Sequence, residues 1–286
     1  MSKKIGIVIV AYHNEAMTKK YVTEELPKLS EEFELVVVNN DATAEESRKL
    51  AEECGLTFVE DDTQTESLER GRGYLIWSQG NLGYARGNNK GVRFLNRIGE
   101  FAYYLFSNDD IEIKQPATIG MLLGKMGELG NVSAIGPRVL GLDGRDQSPH
   151  DRYISPWRLI GWRLLSFLRR KHEAPTDSAP SSKPDSRYTY WVQGSFLLVD
   201  ARAFCQVGMF DENTFLYFEE PILAERMLAI GKRMYFDSDV EIVHYEGGST
   251  KRNKKKEQIE NESRFYYFRK YKGVNRMMLL LLKYFG

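Results

Sequence analysis

Four short polar clusters in this 286-residue sequence carry side chains that can do chemistry. Asn108-Asp109-Asp110 offers hard oxygen ligands of the kind Mg2+ or Mn2+ takes. The same residues also make an ordinary strand-to-loop turn. Glu219-Glu220 is a carboxylate pair able to accept a proton. It also stands just before Pro221, and an acidic first turn with proline is what a helix start favours. Asn39-Asn40-Asp41 can hydrogen-bond a ligand, or can form a turn leading into a helix capped by Thr43. His244 closes an apolar run just before Glu246-Gly-Gly-Ser-Thr250, and suits either a ligand or a structural histidine. A fifth segment, Gly80-Asn-Leu-Gly-Tyr-Ala-Arg-Gly-Asn-Asn-Lys-Gly91, has glycines that let backbone pass near a ligand. Its spacing is not that of a dinucleotide cradle, and the first strand-to-helix turn holds no glycine, so a nicotinamide-type dehydrogenase is set aside.

The elements around these clusters place two of them together. Ile5 to Ala11 and Leu35 to Val38 are continuous apolar, β-branched runs, the pattern of buried parallel strands. Met17 to Leu29 has helical composition up to Pro27. A helix is expected from Thr43 to Cys54, with Gly55 past its end. Leu56 to Val59, Tyr74 to Ser78 and Phe101 to Phe106 read as further strands, with a helix from Ala85 to Ile98 between the last two. This alternation predicts a mostly parallel, three-layer α/β sheet. Ligands of such sheets sit beyond the carboxyl ends of the strands, where Asn39–Asp41 and Asn108–Asp110 both fall. The second half is less regular. It has a strand at Ser133 to Leu140, a basic amphipathic helix at Pro156 to Lys171 and a Pro/Ser/Asp-rich loop from Glu173 to Ser186. A strand at Tyr190 to Asp200, a helix ending near Gly231, and strands at Arg233 to Phe236 and Val240 to His244 follow.

Six segments in order resemble the family 2 glycosyltransferases, in particular their rhamnosyltransferase-like and capsular-polysaccharide branch. They are IVIVAYHNE (Ile7 to Glu15), VVVNNDAT (Val36 to Thr43), GNLGYARGNNKG, LFSNDDIEI (Leu105 to Ile113), QGSFLLVDARAFCQVGMFDENTFLYFEE (Gln193 to Glu220) and VEIVHYEGGST (Val240 to Thr250). The resemblance implies a GT-A-like fold with a helical C-terminal extension. It divides the chain into a catalytic domain at 1–250 (1–112 for the nucleotide, 113–250 for the acceptor) and a helical tail at 251–286. It implies transfer with inversion from a UDP- or dTDP-linked sugar to a saccharide or polyprenyl-linked acceptor, in surface polysaccharide assembly. Asp110 and His244 would hold a divalent metal, Mg2+ or Mn2+, on the leaving diphosphate. Glu220 would be the base, with Glu219 binding acceptor or replacing it. Ala11, Tyr12, Glu15, Asn39, Asp41, Asn81, Arg86, Asn88 and Asp109 would line the donor. The chain departs from the family pattern at three positions. Asn108 stands first in the Asp-x-Asp segment, Asn39 replaces the Asp after the second strand, and Ile222 occupies a frequent Asp position after the acidic pair. These departures keep a non-catalytic sugar-nucleotide-binding protein as the rival reading.

Composition narrows the rest. Hydrophobic residues make up 42 %, which excludes global disorder, and 40 basic against 40 acidic residues give no net charge to attract a polyanion. No nucleic-acid motif is present. Cys54 and Cys205 stand apart from each other and from any Cys/His cluster, so a zinc site is not expected and a reducing compartment is. The expectation is a cytoplasmic protein. The basic segments 158–171 and 264–272 and the apolar run 277–285 add peripheral attachment to a membrane's inner face as an alternative to plain helix packing. The glycine-rich and basic stretch 247–256 reads either as a lid over a diphosphate or as a solvated loop.

Overall fold

In the computed structural model, the described residues are 4–63, 73–149, 155–157, 183–245 and 254–285. Almost all of the expected helix at 156–171, most of the segment 173–186 and the stretch 246–253 fall outside them.

One ten-stranded sheet organises the chain. Its first half is parallel: β1 (Ile5–Tyr12) lies between β2 (Phe33–Asn40) and β5 (Tyr103–Ser107). Beyond β2 come β4 (Tyr74–Trp77) and β3 (Thr57–Val59), also parallel. The second half runs on from β5 through an antiparallel strand, β9 (Phe196–Asp200), to β7 (Val132–Leu140) and β10 (Arg233–His244). Two short antiparallel strands flank β10: β6 (Ile111–Ile113) at its end and β8 (Arg187–Thr189) near its start.

Alternating side chains fill two cores, one on each face. Ile5, Ile7, Ile9, Leu35 and Val37 point to one face. Above them lie α1 (Glu15–Lys20) and the turns that extend it, α2 (Ala44–Cys54) and α4 (Thr118–Leu129). Val8, Val36 and Val38 point to the other face. They meet α3 (Gly83–Ile98), α5 (Ala201–Gln206) and α6 (Glu219–Ala229). This is the expected three-layer arrangement. α2 starts at a capping box between Thr43 and Glu46 and ends at Gly55 in the left-handed region (φ 67°), as its sequence predicts.

Two expectations change. Arg233 to His244 is one strand, with a bulge between Asp237 and Glu241, so the polar Asp237-Ser238-Asp239 interrupts the apolar pattern without ending the strand. Tyr190 to Asp200 is a strand only from Phe196, because the residues before it leave the sheet to meet α6.

The tail consists of α7 (Lys254–Tyr271) and α8 (Arg276–Phe285). It is packed through a third apolar cluster of Ile222, Tyr267, Phe268 and Leu282. Asp211 fastens it: this buried carboxylate accepts from Tyr266 Oη at 2.8 Å and Tyr271 Oη at 2.5 Å, and pairs with Arg226 of α6 at 2.9 Å. Among the described residues no helix is long and apolar enough to cross a membrane.

Candidate active site

The carboxyl ends of β1, β2 and β5 form one rim. At β1 and β2, Ala11 is buried opposite Asn39, and Tyr12 opposite Asn40 is 44 % exposed. Asn39 is buried, and its amide donates to Ser47 Oγ of α2 at 3.1 Å. Asn40 holds the start of α3 by donating to Gly83 O. The groups left facing outward are the Tyr12 ring, its edge contact His13 (centroids 4.3 Å apart), and Asp41, 3.2 Å from His13 Nε2. Glu15 is exposed in the first turn of α1.

The glycine-rich segment is knitted into the fold more than it is displayed. Asn81 Oδ1 accepts from Gly83 N at 3.0 Å, Arg86 Nε donates to Glu212 O at 3.1 Å, and buried Asn88 donates to Tyr84 O at 3.0 Å. Asn89 donates to Phe210 O and Glu212. Gly83 has φ +70°, and a side chain on it would strike the Phe215 carbonyl oxygen, 2.1 Å from where its Cβ would stand. The segment therefore seats the 211–218 loop.

At the end of β5 the acids meet His244. The β6–β10 pairing sets His244 opposite Ile111, which brings the imidazole beside the preceding turn. Asp110 Oδ1 lies 3.2 Å from His244 Nε2, and Asn108 Nδ2 lies 3.1 Å from the same nitrogen. Gln147 Oε1 is 2.8 Å from His244 Nδ1. With Gln147 Oε1 as acceptor at Nδ1, the neutral ring has Nε2 as its lone-pair nitrogen, facing both the Asn108 amide and Asp110. Asp109 is bound differently. Thr18 Oγ1 donates to it at 2.5 Å, while burial, and then the charge of Asp110, push its pKa up to about 6.

A carboxylate oxygen and an imidazole lone pair 3.2 Å apart form a donor set for a cation. Among the described residues no cluster of three or more His, Cys, Asp or Glu forms a metal cage. Two protein ligands are what Mg2+ or Mn2+ uses when substrate phosphates and waters complete its shell. The residues present therefore fit such an ion.

The second carboxylate pair stands on a strained turn. Tyr217 (φ 72°) and Phe218 (φ 70°) are consecutive non-glycine residues in the left-handed region, a conformation that clusters at functional sites. They bring Glu219 and Glu220 into the first turn of α6. Glu220 Oε1 accepts from Gly194 N at 2.9 Å. Glu219 is buried, and among the described residues its Oε1 has no hydrogen-bond partner. Burial raises the pKa of both; Glu219 is raised further by the charge of Glu220. The hydrogen bond from Gly194 N favours the charged form of Glu220.

Residues Gly194 and Ser195 join the two acidic groups. Gly194 N holds Glu220, and Ser195 O accepts from Asn108 N at 2.9 Å. The chain thus brings Asp110, His244 and Asn108 together and links them through one short segment to Glu220. Asn39, Asn88 and Arg86 are instead engaged in contacts within the fold. Sequence reasoning missed Gln147, Thr18, Tyr84 and Gly194, since each acts on a residue far along the chain. The glycine preceding the Ser195 junction was the one available signal.

The model of glycosyl transferase family 2 matches residues 7–182. An N-acetylglucosaminyl-diphospho-decaprenol L-rhamnosyltransferase of Mycobacterium tuberculosis is 28 % identical over 191 residues, covering 63 % of this chain and 61 % of that one. The low-salt glycan biosynthesis hexosyltransferase Agl10 of Haloferax volcanii is 29 % identical over 228 residues, covering 77 % and 60 %. The chain thus spans about three-fifths of the length of these curated relatives. Among solved structures, a mannosyltransferase from Pyrobaculum calidifontis in complex with GDP-Man and Mn2+ superposes with a TM-score of 0.58 at 11 % identity, over 98 % of this chain and 69 % of that one. At that identity the likeness speaks for the fold, which is GT-A. With the family match covering more than half of its length, this chain belongs to glycosyl transferase family 2.

Proposed function

We propose that the protein is an inverting glycosyltransferase that moves a sugar from a UDP- or dTDP-linked donor to a saccharide or polyprenyl-linked acceptor in glycan assembly. The observation that carries this reading is the link between the Asp110–His244 pair and Glu220 through Gly194-Ser195. Two jobs are needed near one anomeric carbon: charge must be absorbed on the leaving side and a proton removed on the attacking side.

Glu220 takes the proton from the acceptor hydroxyl. The hydroxyl oxygen then forms its bond to the anomeric carbon while the bond to the donor diphosphate breaks on the opposite face, which inverts the configuration. Base catalysis of this kind is worth about 10²–10⁴-fold in rate. Glu219, its pKa raised to about 8 by burial and then by its neighbour's charge, stays protonated and does not compete for the proton. Asp110 and His244 are the residues that would hold Mg2+ or Mn2+, and the ion would neutralise charge gathering on the nucleoside diphosphate. Tyr12 and Asp41, on the outward rim, are assigned to the nucleotide, and residues 113–250 to the acceptor. The relatives' names motivate the lipid-linked acceptor. Arg276, Met277 and Leu280, exposed along α8, give a basic and apolar edge suited to peripheral contact with the membrane carrying it.

The test combines binding with turnover. UDP or dTDP should raise the melting temperature more with Mn2+ than without, and Asp110→Asn should remove the Mn2+ increment. Glu220→Gln should keep that binding and lose at least 100-fold in transfer. Stabilisation by NAD(P) and by no nucleotide sugar would overturn the reading. Undiminished transfer by Glu220→Gln would remove the base.

A further inference from the structure

The glycine-rich segment leading into α3 reads from sequence as a donor contact, yet its best-defined side chain points elsewhere. Tyr84 Oη donates to Gly194 O at 2.8 Å, a bond spanning 110 residues. Its ring packs edge-on against Phe210, centroids 5.6 Å apart, and its backbone N donates to Phe215 O at 2.9 Å. One residue therefore grips both segments that shape the base: the loop running into Glu219-Glu220 and the backbone on which Glu220 rests. The space is closed. A Cβ on Gly194 would stand 2.3 Å from Glu220 Oε1 and 2.8 Å from Tyr84 Oη, so carboxylate, phenol and peptide share one contact point.

We infer that Tyr84 is a positioning residue for Glu220, acting through the Gly194 backbone. This rests on Glu220 being the base. The phenol suits the role because burial first, then the charges of Glu220 and Glu219, hold its pKa far above the ordinary tyrosine value. It stays a neutral donor throughout the working pH range. With Gly194 O anchored, the Gly194 N–H keeps its aim on Oε1. That leaves the remaining carboxylate oxygen as the proton acceptor, at a fixed distance from the incoming hydroxyl. Losing the anchor frees the 194–195 peptide and, through the backbone angles of Gly194, the N–H of the preceding peptide, and misplacement of a catalytic group by about 1 Å can cost up to about 100-fold in rate.

The experiment compares Tyr84→Phe in two backgrounds, the full chain and the full chain carrying Glu220→Gln, using a UDP- or dTDP-sugar and a saccharide acceptor with Mn2+. The substitution removes one oxygen and keeps the Phe210 contact, so the melting temperature should stay within a few degrees. In the otherwise unaltered chain kcat should fall about tenfold, with donor KM and nucleotide affinity within twofold. In the Glu220→Gln background the same change should alter kcat by less than twofold, because its effect passes through a base already gone. A raised donor KM with unchanged kcat would overturn the inference, since Tyr84 would then serve donor binding. Equal tenfold losses in both backgrounds would also overturn it, since Tyr84 would then act without Glu220. If Glu220→Gln itself left kcat intact, the base assignment would fail first, and the two failures are told apart by that single variant.

Discussion

The rim at β1, β2 and the start of α3 and the arm that carries Glu220 and His244 are held together in different ways. On the rim, several polar side chains bond to near neighbours in sequence, Asn39 to Ser47, Asn81 to Gly83 and Asn88 to Tyr84, and the longer ties of Asn40 to Gly83 and His13 to Asp41 stay within the first part of the chain. On the arm the ties are long. Tyr84 reaches Gly194, Asn108 reaches His244, and His244 reaches Gln147. The tail adds more, with Ser263 Oγ donating to Leu216 O at 2.8 Å and Phe218 packed on Tyr267. A region stitched locally forms with its own strands and helices. A region stitched across the chain exists only when the whole fold does, and can be dismantled from far away.

The sharpest test of that contrast is Asp211→Asn, far from the chemistry. Removing one partner from a buried ion pair leaves Arg226 uncompensated and should cost about 3–5 kcal/mol. The melting temperature should drop and α7 should become open to protease, while UDP or dTDP binding at the rim persists in the protein that remains folded. If nucleotide binding fell in step with tail docking, the two regions would not be separable. Next in size is Gly194→Ala. Its new methyl group displaces the Glu220 carboxylate, so transfer should fall by about 100-fold with little change in nucleotide affinity, read by steady-state kinetics.

Acid should weaken the docking of the tail. Burial alone would raise the pKa of Asp211, but hydrogen bonds from Tyr271, Asn213 and Tyr266 outweigh it and hold the carboxyl well below its usual range. A depressed carboxyl stabilises the fold fully above its unfolded value of about 3.9 and loses that contribution as pH falls below it. Proteolysis of α7 should therefore appear on acidification below about pH 4, and Asp211→Asn should flatten that dependence. The smallest effect is expected from Asn88→Ala, about 1 kcal/mol in melting experiments with donor affinity unchanged. A lowered donor affinity would show that the rim displays Asn88 to ligand after all.

The same contrast explains what was legible in the sequence. Strands β1, β2 and β5 announce themselves as unbroken apolar runs, and their parallel register alone sets Asn39–Asp41 and Asn108–Asp110 on one edge. The two acidic groups are visible by their place, one after an apolar strand and one after an aromatic run, since adjacent acids alone also occur at exposed positions of α2, as Glu45-Glu46 and Glu52-Glu53. Asn39 is different. Its type suits a ligand, but a hydroxyl eight residues later claims it, and side-chain partnership is not written in residue type. Gln147 is silent in sequence because the ties that carry its loop to His244, the salt bridges of Arg138 to Asp146 and Glu241 and the bond of Gln147 N to Val139 O, are not written in its residue type. Ile222, a departure from the family pattern, makes sense once the tail is seen: it is fully buried against Tyr267, Phe268 and Leu282, where an ionised Asp would be costly.

The twin left-handed residues Tyr217 and Phe218 set durability against turnover. Each such residue holds about 1–3 kcal/mol of unfavourable backbone energy. Glycine at position 217, where the tyrosine side chain is exposed, would release part of that and give a hardier protein. The same change would free the hinge that aims the acidic pair, so the hardier variant should also be the slower one.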